Sequence, residues 1–94
     1  MLVGTHIQKI AEIEGFQVEI FKNGKLLSNH ETEPDLKVFS REYSNRAKDS
    51  FTVQEWITNR FNKVNQGFTV NVLKGDGSTA PGNTKLSTVR QSYE

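Results

Sequence analysis

The side chains best suited to chemistry in this sequence are cationic. Lys37, Arg41 and Lys48 recur at helical spacing, and on a helix at 100° per residue they point within roughly 40° of one another. They would form a basic ridge away from an apolar stripe of Leu36, Phe39, Tyr43 and Ala47, extending about 16 Å along the axis. Such a ridge can meet several phosphates or an acidic protein patch; it is equally what an ordinary solvated helix face looks like. Glu42 and Asp49 fall elsewhere around the same circle.

Arg60 is the second unusual cation, because its angle lies inside the apolar arc of a helix expected over 52–65, between Trp56 and Val53. An unpaired buried charge is costly, so its stem should pack on Trp56 while the guanidinium reaches water or a carboxylate. The alternative is that it projects into a groove and holds an anion together with Arg46 or Arg90. Near the end of the chain, Lys85 and Arg90 bracket a short segment in which Ser87, Thr88 and Gln91 add hydrogen-bond donors for bases or phosphates. Leu86, Val89 and Tyr93 suggest more simply that this segment docks on the rest of the domain. Lys37, Arg41, Lys48, Arg60, Lys85 and Arg90 together make up the candidate binding face.

Other chemistry is poorly supplied. The loop from Gly75 to Lys85 is Gly-rich, but Gly82 is followed by Asn83-Thr84-Lys85, so it lacks the Gly-Lys-Ser/Thr ending of a phosphate-binding loop. His6 and His30 are the only histidines and there is no cysteine, so a metal site would have to borrow from Glu31, Glu33 and Asp35, which better suit a helix start. No Gly-x-Ser-x-Gly elbow or other acyl-transfer motif is present. The expectation is a non-enzymatic protein with no metal and no cofactor.

Several elements must position these residues. Thr52-Val53-Gln54-Glu55 is a capping box flanked by Phe51 and Trp56, and Val53, Trp56, Ile57, Phe61 and Val64 form one stripe, which predicts a helix from Thr52 to Asn65. Phe16 to Lys22, Asn23-Gly24, then Lys25-Leu26-Leu27 reads as a type I′ hairpin with Phe21 opposite Leu26 and Ile20 opposite Leu27. Phe68, Val70 and Val72 alternate with polar residues and predict a strand joining the same sheet. Pro34 to Lys48 is expected to be helical, with Pro34 in the first turn. Residues 5–14 are ambiguous: a Thr5-His6-Ile7-Gln8 box favours a helix, but the β-branched residues and the Glu14-Gly15 break favour a strand, the reading preferred here. A short helix capped by Asn83 or Thr84 closes the chain.

Length and charge bound the rest. A chain of 94 residues with 34% hydrophobic and 24% charged side chains suits one small domain, with little apolar surface left for a deep pocket. The formal net charge of +1 conceals a division: residues 1–36 sum to −3 and residues 37–94 to +4. Without cysteine, and with Met1-Leu2-Val3-Gly4 too short for a signal-peptide core, a cytoplasmic protein that does not enter the membrane is expected. The fold class expected is α+β: an antiparallel hairpin or sheet, two central helices on one face and a short C-terminal helix. The function expected is a protein-interaction or regulatory module with a protein partner still to be identified, acting as a monomer or homodimer. The alternative is nucleic-acid binding through the basic helix face.

Overall fold

Local chemistry decides the hairpin. In the computed structural model, which describes all 94 residues, strand β1 (Val18–Lys22) turns back into β2 (Lys25–Leu26) through Asn23 at φ 53° and Gly24 at φ 78°. Those two left-handed residues are what a type I′ turn requires. Phe21 pairs with Leu26, and Leu27 N–H donates to Ile20 C=O at 2.9 Å. Strand β3 (Phe68–Val72) pairs antiparallel with the other side of β1, Ile20 opposite Val70, giving the order β2-β1-β3. Val18, Ile20, Val70 and Val72 turn to the core, while Glu19, Thr69 and Asn71 alternate outward.

The ladder ends in an unusual way. Leu73 N–H donates to Gln17 C=O at 2.9 Å, but the return bond is made by a side chain. Gln17 N–H donates to the Tyr93 hydroxyl, which in turn donates to Leu73 C=O. The C-terminal aromatic is thereby stitched into the end of the sheet.

Residues 5–14 are not a strand. Helix α1 runs Val3–Glu14 and buries Val3, His6, Ile10 and Glu14, spaced by three and four residues along one face. It starts ahead of the Thr5 box, whose side chain is not used, because Val3 N–H and Gly4 N–H are accepted by Glu31 C=O and Asn29 C=O at 2.8 and 3.0 Å. A neighbouring loop satisfies the orphan donors, so no side-chain cap is needed. Gly15, at φ 84°, ends the helix with its N–H on Ala11 C=O.

Residues 34–48 do not form the expected helix. Only a single 3₁₀ turn at Phe39–Arg41 is present, entered from an extended Val38, so the three-cation ridge does not exist as a helical face. The hydrophobic stripe was real in a different sense, since Leu36, Phe39 and Ala47 are buried and Tyr43 half-buried. The backbone donors found tertiary acceptors instead of helical ones: Lys37 N–H donates to Asn65 Oδ1 at 2.6 Å and Ala47 N–H to Glu14 Oε1 at 2.8 Å. An irregular path lets one segment cover the core between α1 and the next helix.

That helix, α2, begins as predicted. Thr52 Oγ1 accepts from Glu55 N–H and Glu55 Oε1 accepts from Thr52 N–H, a complete capping box. The α-helical turn Val53–Trp56 leads into a π-helical stretch Ile57–Phe61 and a last α turn Asn62–Val64. Ile57, Thr58 and Asn59 are weak helix formers, and at this stretch Asn62 N–H reaches back five residues to Ile57 C=O. The short helix α3 (Leu86–Gln91) starts after Lys85 with no side-chain cap, so neither Asn83 nor Thr84 serves as its cap. Its first donor is taken by Phe51 C=O at 2.8 Å.

The fold is therefore α+β, a three-stranded antiparallel sheet with α1, α2 and α3. Trp56 is fully buried at the centre, with Phe16 edge-on at 5.0 Å and Phe39 and Phe61 tilted at 5.9 and 6.1 Å. No helix is long and apolar enough to cross a membrane.

Candidate functional site

Two of the six expected binding residues are consumed inside the protein. Glu14, at the end of α1, is 0% exposed, and its carboxylate gathers ligands from across the chain. Arg60 Nη1 donates to Oε2 at 2.7 Å, Arg90 Nη2 to Oε1 at 3.0 Å, and Ala47 N–H also to Oε1. Arg90 is only 8% exposed and further donates to Glu14 C=O, Ala47 C=O and the exposed Asp49 carboxylate, at 2.7, 2.9 and 2.6 Å. Arg60 adds a bond to Asn45 C=O at 2.7 Å and lies 4.4 Å over the Tyr43 ring.

The anion that Arg60 and Arg90 hold together is thus a side chain of the protein itself. Arg46 reaches the same corner, its Nη2 3.4 Å from the point where a Cβ on Gly15 would stand. The network pins α1, the 45–49 segment, α2 and α3 to one another, and its two arginines are not available to an external ligand. Sequence reasoning missed Glu14 as their partner. The signal was present: Glu14 falls on the same helical stripe as Val3, His6 and Ile10, an acid in an apolar position just as Arg60 is a base in one.

The other four residues are exposed. Lys37 and Arg41 do come together, though not on a helix. They line a groove of about 330 Å³ with Pro34, Leu36, Val38, Glu42 and Val64. Neither cation forms an ion pair with any carboxylate of the chain. Lys37 also borders an adjoining hollow with Asp35, Lys63, Val64 and Gln66. Lys48 lies outside this groove, on the loop before α2, and Lys85 stands across from Thr52 in an isolated antiparallel bridge. The expected face of six therefore divides into a structural pair, a groove pair and two separate lysines.

The histidines are also separated in role. His6 is buried on α1, and burial holds its imidazole below the ordinary value of 6.5, with the positive amino terminus adding to the depression and the Lys37 backbone opposing it. His30 is exposed in the turn that carries Ser28 and Glu31.

What the Lys37–Arg41 groove offers chemically is a pair of cations at an apolar floor, a combination that suits an anion carrying a hydrophobic group. No protein-family model, curated protein or solved structure matches the chain.

Proposed function

We propose that this chain is a small non-enzymatic protein-interaction module of a regulatory kind, which docks an acidic, partly apolar segment of a partner protein in the groove between Lys37 and Arg41. One observation carries the reading: two cations that form no ion pair within the protein, with a single acid, Glu42, in the same lining, flank a floor of Leu36, Val38 and Val64. Charges left unpaired at a concave, partly apolar surface favour a partner of opposite sign and set its orientation.

A second reading, nucleic-acid binding, is supported by the exposed and unpaired Lys37, Arg41, Lys48 and Lys85. It loses Arg60 and Arg90, whose guanidiniums are committed to Glu14.

Salt separates the two. Blocked peptides in which Asp or Glu flank Leu or Phe are titrated by fluorescence anisotropy, beside single-stranded and duplex oligonucleotides. The proposal expects peptide binding that Lys37→Glu and Arg41→Glu each weaken by about tenfold, with a shallow salt dependence. Oligonucleotide binding that falls linearly on a log-log plot, by about one slope unit per phosphate contact, would favour the second reading. Peptide binding indifferent to both charge reversals, or no peptide binding at low salt, rejects the first.

A further inference from the structure

The register of β1 and β3 decides which way each backbone group of β3 points. Leu73 N–H donates to Gln17 C=O, so Gln17–Leu73, Glu19–Asn71 and Phe21–Thr69 are the positions where hydrogen bonds cross the ladder. Val18–Val72, Ile20–Val70 and Lys22–Phe68 are the alternate pairs. The N–H and C=O groups of Phe68, Val70 and Val72 therefore face away from β1, along the outer edge of the sheet.

The chain itself covers one end of that edge. Lys74 N–H donates to Ser78 C=O and Ala80 N–H to Val72 C=O, both at 2.8 Å, so residues 78–80 already lie against β3 as a short added strand. In this register Pro81 falls at a position that faces away from β3, and the next residue able to bond there is Gly82, opposite Val70. Gly82 has instead turned to α2, where its C=O accepts from Gln54 N–H at 2.9 Å. Val70 is left with its outward donor and acceptor both without a partner in the protein.

Beside Val70 lies a groove of about 390 Å³, lined by Thr69 to Val72 of β3, by Val53, Gln54, Ile57 and Asn62 of α2, and by the returning segment 79–82. None of its lining residues is charged. Asn62 adds a further unmet group, since its Oδ1 is buried without a hydrogen-bond partner. Val70 is 5% exposed, so its donor and acceptor are reached through this groove, and an extended backbone is what returns both bonds at strand spacing. A neutral lining selects against charged side chains, which would be desolvated there without counter-ions.

We infer that the Val70 edge is a docking site of its own, which takes an extended, uncharged peptide segment of a partner protein as a further strand beside residues 78–80. The site is independent of the Lys37–Arg41 groove. A second copy of this chain is a poorer occupant: a stable dimer takes about 800 Å² from each partner, and a groove spanning a few strand residues presents only a small part of that.

The test begins with amide exchange in the free protein. The Val70 amide should exchange at least about tenfold faster than those of Thr69 and Asn71, which bond to β1. Random ten-residue peptides are then selected by display against the full chain and counter-selected against Gly82→Leu. Gly82 lines the groove at an ordinary φ, and a Cβ there would sit 3.4 Å from Gln54 Cβ and 3.5 Å from Gln54 Oε1, ordinary contacts, so the variant adds bulk at the groove wall; an unchanged denaturation midpoint confirms that it folds.

Selected peptides should slow Val70 exchange by about tenfold or more and lose binding to Gly82→Leu. They should also lose it when alternate peptide nitrogens are methylated in the frame that faces β3, and keep it in the other frame. A Val70 amide as protected as its neighbours in the monomeric protein overturns the inference. So does a selection in which no peptide distinguishes the two proteins or slows Val70. Concentration-dependent dimerisation that protects Val70 would assign the edge to a second copy and overturn the partner-peptide inference.

Discussion

Glu14 and Arg60, 46 residues apart in sequence, meet in a 2.7 Å ion pair at which the acid has no exposure to water and the base 17%. Arg90 completes the site from a further 30 residues along the chain, the offset between positions 60 and 90. Three separate helices are thus joined at one carboxylate, and its desolvation is tolerable only because two guanidiniums and the Ala47 N–H converge on it.

Neutralising that carboxylate should be severe. Glu14→Gln leaves Arg90 buried beside a neutral amide and is expected to lower stability by about 3 to 5 kcal/mol. Arg60→Met should cost less, because Glu14 keeps Arg90 and the Ala47 N–H. Urea denaturation midpoints with unchanged slopes measure both; a Glu14→Gln midpoint close to that of the unaltered protein would contradict the structural role given to the network.

Acid should loosen the protein through His6. Its imidazole titrates below the ordinary 6.5 in the folded state, so protons bind more tightly to the unfolded chain. The contribution is complete above pH 6.5 and is lost as pH falls through the folded value. Replacing His6 by a residue that does not titrate, as in His6→Gln, should flatten this part of the stability profile. An unchanged slope below pH 6.5 in that variant would show that other groups are responsible.

Alkali should act through Tyr93. Burial pushes its phenol above the ordinary 10.0, with the Gln17 N–H opposing, so the folded state holds the proton longer than the unfolded one. The associated stability is present below pH 10.0 and is lost as pH rises towards the folded value. Ultraviolet titration should show Tyr93 ionising later in the folded protein than in the unfolded chain. Tyr93→Phe should remove that part of the alkaline loss and, by breaking the bridge between Gln17 and Leu73, cost about 1 kcal/mol at neutral pH.

Trp56→Ala should be among the most damaging apolar truncations. The ring is completely buried against Phe16, Phe39 and Phe61, so the loss is expected at about 3 to 5 kcal/mol. Its Nε1 has no hydrogen-bond partner, so Trp56→Phe, which leaves out a buried unpaired donor, should recover a large part of the difference. Denaturation of the two variants side by side decides whether packing or the indole nitrogen dominates.

Some of this protein is written in short stretches of sequence. Asn23-Gly24 fixes the hairpin because two left-handed residues leave the chain few other turns, and Thr52 with Glu55 fixes the start of α2 because both bonds close within four residues. The alternation of Phe68 to Val72 and the buried aromatics were legible for the same reason. Residues 3–14 and 34–48 were not, since their propensities are divided and their backbone donors are claimed by Glu31, Asn29, Asn65 and Glu14, residues that adjacency does not bring near. The two cations that line one groove, the two held by Glu14 and the two that stand apart have the same residue types. Which is which was decided by where a distant acid came to rest, and only the packed chain sets that distance.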